Sequence, residues 1–283
     1  MTSGSPRDRK AAEAGRRLVP LAPGAHAGVV HLVGAGPGDP ELLTVKGLKL
    51  LQSADVVVHD RLTPQPILDL ANPSARLIDV GKRKSRHTLP QDDINQLLVA
   101  LACAGHRVVR LKGGDPFLFG RGGEELLALR EAGIEAHVVP GVSAALAAAA
   151  GAGAPLTHRG LAQSVTFVTG HAASGATPDL DWASLARANQ TVAVYMGLTT
   201  APLIAERLIE AGRAPSTPVL VVENASLADE RRRLTTLIDL PHAAAGLDGP
   251  ALLLIGETAA LADLRGADVQ QLAADVLAGR RTA

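Results

Sequence analysis

Hydrophobic residues in this chain fall into short apolar runs that alternate with stretches where they recur every three or four positions. Short runs bounded by glycine, proline or charged residues are typical of buried strands, and the longer recurrence is typical of amphipathic helices. The runs in the first half predict strands at residues 29–33, 54–59, 77–80, 107–111 and 136–139. Helices are predicted between them at 41–53, at 91–104 and in a segment that ends at 130–133.

Residues 142–155 predict a helix followed by a linker, after which the alternation of strands and helices starts again. Strands are predicted at 164–169, 191–196, 218–223 and 251–255, and helices at 180–187 and 201–211. Strands that alternate with helices indicate right-handed crossovers and a parallel sheet. Turn signals around residues 231–236 predict that the second sheet is mixed.

The pattern therefore predicts an α/β fold of two lobes, with a mainly parallel N-terminal sheet, a mixed C-terminal sheet and a ligand site in the cleft between them. We expect the N-terminal lobe at 29–141, a helix and linker at 142–157 and the C-terminal lobe at 158–264. Residues 1–28 are basic and rich in alanine, glycine and proline, so we expect a disordered tail. Residues 265–283 are expected to form a peripheral helical tail.

Composition narrows the classes of function. Lysine plus arginine and aspartate plus glutamate each number 28, and aromatic residues make up 2%, so neither charge nor base stacking favours nucleic acid. The single cysteine, Cys103, excludes an internal disulfide and a cysteine-based metal site. Residues 138–157 carry no charge but are too weakly apolar for a membrane helix, and the first 28 residues lack the apolar region of a signal peptide. We expect a soluble, cytoplasmic protein without a membrane or nucleic-acid partner.

The most unusual segment is 111–125, which reads LKGGDPFLFGRGGEE and directly follows a predicted strand. Its five glycines and one proline exceed what a tight connector needs. Glycine lets the backbone approach a ligand closely and adopt positive φ. We therefore interpret the segment as a ligand-binding loop rather than a hinge.

A second glycine-rich turn, residues 34–38, follows the first predicted strand and is similar to a dinucleotide-binding fingerprint. The match fails because the third glycine comes one position early and Asp39 occupies its place. Prolines also flank the turn where a helix would offer N–H groups to a pyrophosphate. An acidic side chain there would repel phosphate, so we do not expect NAD binding.

Basic residues are concentrated near the predicted carboxyl ends of the strands. Residues 82–87 read KRKSRH, and four further cations lie at strand ends or in glycine-rich loops: Arg110, Lys112, Arg121 and Arg159. Together they favour a polyanionic ligand, because arginine binds carboxylates through a bidentate fork. The alternatives are a solvated basic loop at 82–87 and, for Arg121 and Glu124, a surface ion pair between residues three apart.

Other motifs are less specific. His158 and His171 lie near the ends of a predicted strand, where a lone histidine is more often solvated or capped than catalytic. No His, Asp or Glu grouping has metal-ligand spacing, and no P-loop or G-x-S-x-G motif occurs, so no metal site is predicted. The YMG turn at 195–197, taken alone, indicates core packing.

Nine segments, taken together and in order, resemble the tetrapyrrole methylase family. They are VGAGPGDPELLT (33–44), HDRL (59–62), VGKR (80–83), LKGGDPFLFGRGGEE (111–125), VVPGVSAA (138–145), PLTHRG (155–160), VTFVTGH (165–171), YMG (195–197) and VEN (222–224). The resemblance runs from about residue 29 to 264. It implies a two-lobed α/β enzyme, typically a homodimer, with S-adenosylmethionine folded into the cleft and no metal.

The motif set is most similar to that of family members that methylate uroporphyrinogen III. It implies transfer of two methyl groups in turn to carbons 2 and 7, giving precorrin-2 on the path to sirohaem and cobalamin. A sulfonium is already activated, so the enzyme mainly has to align methyl and carbon. The eight carboxylates of the substrate account for the cations, and the loss of a proton gives an acid–base group a role.

The resemblance also assigns site residues by their position in the motifs. Cofactor contacts are expected from Pro37, Gly113, Gly114, Asp115, Leu118, Ser143, Ala144, Met196 and Ala225. Catalytic roles are expected for Asp60 and Lys82 as an acid–base pair, and for Arg121, Glu124 and Arg159. Substrate contacts are expected from Arg121, Arg159 and His171.

Three features differ from the usual family pattern. Residues 149–154 lack the aromatic residue that is common there, Ala225 and Ser226 stand where glycine and threonine are common, and the basic segment contains Lys84 and Ser85. No additional dehydrogenase or chelatase domain is recognisable, so we expect precorrin-2 to be the product. The alternatives are a sister methylase that acts on a later precorrin and a non-catalytic tetrapyrrole-binding regulator.

Overall fold

The structure is a computed structural model that describes residues 27–81, 90–171 and 178–263. These residues form two five-stranded sheets with helices packed on both faces of each. Among them, no helix has the length and apolar character needed to cross a membrane. The sequence predictions for Lys82 and for most of the two tails lie outside the described residues.

The first sheet is entirely parallel. Its strands are β1 (Val30–Gly34), β2 (Val56–His59), β3 (Arg76–Asp79), β4 (Val108–Lys112) and β5 (Ala136–Val139). Its helices are α1 (Val45–Ser53), α2 (Gln65–Leu68), α3 (Gln91–Cys103) and α4 (Gly122–Glu131). The spatial order is β3-β2-β4-β1-β5, so all five strands end at the same edge.

Both faces of this sheet are covered, which explains why its strands are nearly continuous apolar runs. Val30 and Val108 pack with α3 and α4 on one face, whereas Val33 and Val109 pack with α1 on the other. Residues two apart in a strand point to the same face. The two charged residues of β4, Arg110 and Lys112, therefore point to the same face as Val108, toward α3 and α4.

The second sheet is mixed, as predicted. Its strands are β6 (Ser164–Thr169), β7 (Gln190–Tyr195), β8 (Pro218–Glu223), β9 (Arg231–Thr236) and β10 (Ala251–Ile255). The helices of this half are α5 (Ala144–Ala152), α6 (Trp182–Leu185), α7 (Ala201–Glu210) and α8 (Leu240–Ala244). The order is β6-β7-β10-β8-β9, with β6 and β7 parallel and the other three pairings antiparallel. The carboxyl ends of β6, β7 and β8 consequently share one edge.

Helix α5 packs on the second sheet rather than on the first. Its buried alanines, Ala145, Ala148 and Ala152, form one cluster with Leu220 and Leu252. Alanine has a short side chain, so the helix can approach the sheet closely. The alanines of residues 149–154, which differ from the family pattern, thus take part in the contact between α5 and the second sheet.

The structure differs from the predicted elements mainly at their ends. The predicted helix at 41–53 is a 3-10 turn at Pro40–Leu42 followed by α1, because two caps start two elements. Asp39 accepts from the N–H of Glu41 at 2.9 Å, and Thr44 accepts from the N–H of Gly47 at 3.1 Å. The predicted helix at 180–187 is only the short helix α6.

Candidate active site

The loops after β1 and β4 are joined at the carboxyl edge of the first sheet. The N–H of Gly114 donates to the carbonyl of Gly36 at 2.7 Å, and the N–H of Gly36 donates back at 3.2 Å. Gly114 has a φ of 65°, a conformation that L side chains rarely adopt. A β-carbon on Gly114 would meet only the backbone nitrogen of Ala144, at 4.0 Å. Space therefore remains between the β4 loop and the start of α5.

Asp115 connects this loop to the one after β5. Its carboxylate accepts the N–H of Phe117 at 2.8 Å and the N–H of Gly141 at 3.0 Å. A β-carbon on Gly141 would lie 2.2 Å from the carbonyl oxygen of Gly114, so the approach requires glycine there. The Asp115 side chain therefore holds the loops in place, and its predicted cofactor contact stays a prediction.

Tyr195, at the end of β7, joins the second lobe to the start of α5. Its hydroxyl makes a hydrogen bond with the Ser143 hydroxyl and accepts the N–H of Ala145 at 3.1 Å. Its ring lies 5.0 Å from that of Phe119 in the β4 loop and 6.1 Å from that of Phe167. Burial raises the pKa of Tyr195, so the hydroxyl stays protonated near neutral pH. Ser143, Ala144 and Met196 thus lie around one tyrosine.

The loop after β8 contacts the loop after β1. The N–H of Asp39 donates to the Ser226 hydroxyl at 3.2 Å. Gly38 has a φ of 147°, and a β-carbon there would lie 2.3 Å from a methyl carbon of Leu227. The predicted cofactor residues Pro37 and Ala225 precede the residues of this contact directly in the chain.

Left-handed backbones at non-glycine residues are concentrated in these loops. Five of the six in the described part of the chain follow β4, β7 or β8: Phe119, Arg121, Met196, Asn224 and Ser226. Each costs on the order of 1 kcal/mol and persists only where the surrounding structure imposes it. Such residues cluster at ligand sites, which supports the view that these loops form one.

Arg110 and Lys112 do not face the cleft, so the expectation that they meet an anionic ligand is wrong. Their side chains are 2% and 3% exposed, and both point toward Glu125 of α4. Oε1 of Glu125 accepts Nε of Arg110 at 3.1 Å and Nζ of Lys112 at 2.8 Å. A second carboxylate, that of Asp60 after β2, accepts Nη2 of Arg110 at 2.5 Å.

This network neutralises its own charge: two cations face two carboxylates. Burial lowers the pKa of Lys112 below its ordinary value, and the positive charge of Arg110 lowers it further, while Glu125 and Asp60 act in the opposite direction. The reason the sequence prediction failed is that Glu125 reaches β4 from a helix, which no spacing within β4 reveals.

Arg121 and Glu124 form the exposed ion pair that the sequence left open as an alternative. Nε and Nη2 of Arg121 donate to the two carboxylate oxygens at 2.8 and 2.6 Å. Slightly more than half of each side chain is exposed. The hydrogen bond from Arg121 lowers the pKa of Glu124, and the same bond raises the pKa of Arg121. Both side chains are accessible to a ligand beside the β4 loop.

The remaining predicted residues are less closely connected. Arg159 is exposed in a tight turn closed by hydrogen bonds between the backbones of His158 and Ala162. His171 is exposed just after β6, and Leu118 donates its N–H to the carbonyl of Asp115 at 3.3 Å. In the described ranges, no group of three or more His, Cys, Asp or Glu side chains is arranged to hold a metal ion.

Comparison with known proteins decides the family. The family model of the Tetrapyrrole (Corrin/Porphyrin) Methylases matches residues 29–241, which include all of the first sheet and every strand of the second sheet except β10. The chain belongs to the tetrapyrrole methylases. The two sheets and the loop contacts described above are the form that this methylase fold takes here.

Curated relatives of this methylase are longer proteins. The siroheme synthase of Chromobacterium violaceum is 54% identical over 239 residues, which cover 84% of this chain and 51% of that protein. The siroheme synthase 1 of Pectobacterium atrosepticum is 55% identical over 238 residues, 83% of this chain and 49% of that protein. The methylase chain thus spans about half the length of the curated relatives it matches.

Solved structures match the methylase over at least 93% of their own length. The native form of uroporphyrin III C-methyl transferase from Thermus thermophilus is 45% identical, with a TM-score of 0.73, and the match covers 83% of this chain and all of that one. A T. thermophilus complex with S-adenosyl homocysteine is 44% identical, with a TM-score of 0.72, over 82% of this chain and 93% of that one. A cobalt precorrin-4 methyltransferase is 34% identical, with a TM-score of 0.73, over 82% and 95%.

Sequence reasoning missed two residues that organise the site. Tyr195 looked like core packing, although it is the only tyrosine of the chain. Glu125 ends the motif at 111–125, and the family resemblance assigns it no role. A charged residue inside an apolar strand, such as Arg110, is the one signal that could have pointed to a buried partner.

Proposed function

We propose that the protein is an S-adenosylmethionine-dependent C-methyltransferase that methylates uroporphyrinogen III at carbons 2 and 7. The product is precorrin-2, which serves sirohaem and cobalamin formation. The observation that carries this proposal is the 45% identity to a uroporphyrin III C-methyl transferase along the whole length of that enzyme. The similarity to siroheme synthases supports the same pathway.

The proposed cofactor site lies where the β1, β4, β7 and β8 loops meet α5. The space beside Gly114, faced by the nitrogen of Ala144, suits a ligand held by backbone groups. The residues expected there are Pro37, Gly113, Gly114, Asp115, Leu118, Ser143, Ala144, Met196 and Ala225. When bound, S-adenosylmethionine supplies an activated methyl group on a sulfonium. Because this cofactor carries no phosphate, its site needs no phosphate-binding turn. The acidic Asp39 that argued against NAD is compatible with this cationic ligand.

The proposed substrate residues flank that site. Arg121 offers a guanidinium that is half exposed and can exchange Glu124 for a substrate carboxylate. Arg159 and His171 are exposed and available to further carboxylates. Asp60 holds or accepts the proton that leaves the methylated ring, and Lys82, outside the described residues, is its proposed partner by motif position.

The test is incubation of purified protein with uroporphyrinogen III, generated in situ without oxygen, and labelled S-adenosylmethionine. We expect two labelled methyl groups per tetrapyrrole. Cofactor binding without any methylated product would contradict the enzyme assignment and favour a tetrapyrrole-binding regulator. Methylation of a later precorrin in preference to uroporphyrinogen III would instead favour the alternative represented by the cobalt precorrin-4 methyltransferase.

Two glycine variants, one at the proposed cofactor site and one elsewhere as its control, test whether the space beside Gly114 binds the cofactor. Gly114→Ala places a methyl group in the proposed cofactor space and is expected to weaken S-adenosylhomocysteine binding. Gly212→Ala makes the same change at another left-handed glycine, with φ of 100° and open space around it, far along the chain after α7. Equal loss of binding in both variants would mean that backbone strain, rather than the site, is responsible.

We also propose a homodimer in the cytoplasm. Support for the dimer comes from the family resemblance alone. Sedimentation equilibrium measures it directly, and a mass of one chain at micromolar concentration would contradict it.

A further inference from the structure

Asp60 is held in place by a neighbouring strand. It follows β2, and 32% of its side chain is exposed at the carboxyl edge of the first sheet. Arg110 of β4 donates from Nη2 to its Oδ1 at 2.5 Å. The orientation of the Asp60 carboxylate toward the cleft therefore depends on where the guanidinium of Arg110 lies.

Arg110 is fixed on every side. Its side chain is 2% exposed, and Nη1 donates to the carbonyls of Leu111 at 3.2 Å and Val58 at 3.4 Å. Its Nε donates to Glu125 at 3.1 Å. The guanidinium thus bridges two carboxylates, one inside the fold and one at the edge of the cleft.

Glu125 is the inner anchor of this bridge. Its side chain is fully buried, and its Oε1 also accepts Nζ of Lys112 at 2.8 Å and Nε2 of Gln91 at 3.2 Å. Its Oε2 has no hydrogen-bond partner within the described ranges. Burying such charges costs several kcal/mol per ion. A protein with apolar side chains of equal volume in their place is often at least as stable. Stability alone does not account for the arrangement.

The opposite end of the same two strands provides a reference. Asp55, before β2, and Arg107, before β4, form a pair at 2.6 Å with 37% and 58% of their side chains exposed. This surface pair links the two strands, and among the described residues no buried carboxylate contacts Arg107. In that part of the chain, a buried carboxylate supports the arginine only at the end where Asp60 lies.

We propose that Arg110 and Glu125 are positioning residues for Asp60. Glu125 holds the guanidinium, and the guanidinium holds the Asp60 carboxylate at the cleft in the orientation that proton transfer requires. The proposal rests on the proposed function, because it assigns Asp60 an acid–base role. An arginine is needed since its planar fork reaches both carboxylates at once, whereas the single charge of a lysine reaches one.

Arg110→Lys tests the proposal, because it keeps the charge and removes the fork. We expect kcat to fall about 10- to 100-fold, as small misplacements of a reacting group do, while KM for S-adenosylmethionine stays unchanged. The matched control is Arg107→Lys, which makes the same change in the pair at the other end of the same strands. The control is expected to retain the wild-type kcat.

A double-mutant cycle separates positioning from a general structural role. In an Asp60→Asn background, Arg110→Lys is expected to cause no further loss of kcat. An equal loss in both backgrounds, or a parallel loss of cofactor affinity, would overturn the proposal. A wild-type kcat for Asp60→Asn would overturn it too, while leaving the methyl-transfer assignment intact. If Arg110→Lys does not fold, Glu125→Gln replaces it in the same cycle.

Crystal structures of the variants test the positioning role independently of enzyme activity. In Arg110→Lys or Glu125→Gln, the Asp60 carboxylate is expected to move by about 1 Å or to occupy several conformations. An Asp60 carboxylate that keeps its wild-type place would overturn the positioning role. If the wild-type protein does not methylate uroporphyrinogen III, the proposed function fails and these structures still settle whether Arg110 and Glu125 place Asp60.

Discussion

Strands β2 and β4 carry an arginine–aspartate pair at each end, and the two pairs lie in opposite environments. At the amino end, Arg107 and Asp55 are exposed and contact mainly each other. At the carboxyl end, Arg110 is buried, bridges Asp60 to Glu125 and has Lys112 beside it. The same two residue types thus form an exposed ion pair at one edge of the sheet. At the other edge they form part of a candidate active site.

The difference follows from the architecture of a parallel sheet. All strands of the first sheet end at one edge, and ligands of such sheets bind outside that edge. A pair at the amino edge meets only solvent, which screens it and makes its contribution small. A buried guanidinium is screened little, so it holds its partners rigidly. Location and burial, rather than the chemistry of the pair, decide which one serves function.

The largest expected effect is on stability at the carboxyl end. Glu125→Ala removes the carboxylate shared by Arg110 and Lys112 and is expected to lower the free energy of unfolding by about 3 kcal/mol. The loss stays at the lower end of the range for broken buried pairs, because the already lowered pKa of Lys112 lets it shed its charge. Urea unfolding at pH 7 measures it.

Asp55→Ala is the control at the amino end, and its unfolding free energy is expected to stay close to that of the wild type. Similar losses for both variants would mean that the burial of Arg110 adds nothing, and the contrast between the two ends would disappear.

A smaller effect separates location from burial. Arg121 is exposed like Arg107 but lies beside the carboxyl edge, and Arg121→Ala is expected to lower kcat/KM for the tetrapyrrole about 10- to 100-fold, the value of a charge-assisted hydrogen bond. Binding of S-adenosylhomocysteine, measured by calorimetry, is expected to stay nearly unchanged.

Arg207→Ala is its control, since Arg207 and Glu210 form an exposed pair with the same three-residue spacing on α7. Turnover of this variant should match that of the wild type. Loss of cofactor affinity together with turnover in Arg121→Ala would identify Arg121 as a structural residue of the loop.

The smallest effect is the pH dependence of the amino-end pair. Hydrogen bonds from the side chain and backbone of Arg107 lower the pKa of Asp55 to about 2. Because the folded-state pKa lies below the unfolded value of about 3.9, the pair stabilises the fold above about pH 4, and this contribution is lost as pH falls toward 2. Thermal unfolding should show Asp55→Asn slightly below the wild type at pH 6, with the gap closing between pH 4 and pH 2. A gap that persists at pH 2 would rule out this carboxylate as its source.

Much of the fold could be predicted because it depends on local pattern. Apolar runs predict nine of the ten strands, and the turn signals at 231–236, where β9 lies, predict only that the second sheet is mixed. Element ends were less accurate: Asp39 and Thr44 each cap a helix start, and two caps five residues apart split one predicted helix into a 3-10 turn and α1. A single pattern of hydrophobic residues does not reveal which of two caps is used.

The candidate site could be predicted in part. The motifs place Gly114, Ser143 and Met196 in loops, and the structure gathers these loops around Tyr195. The sequence did not predict that Arg110 turns inward whereas Arg121 turns outward, although both lie within twelve residues of one another. Their difference depends on a strand that points one residue toward α4 and a loop that leaves the other at the surface.

By itself, the sequence determined the alternation of strands and helices, the glycine-rich loops and the family, because each of these resides in neighbouring residues or in a linear motif. Tertiary structure alone decided the pairing of charges: Glu125 meets Arg110, and Asp60 meets the same guanidinium from another strand. Burial and charge pairing depend on which elements pack together. The charge pairing in this site could therefore be known only from the packing of α4 against the first sheet.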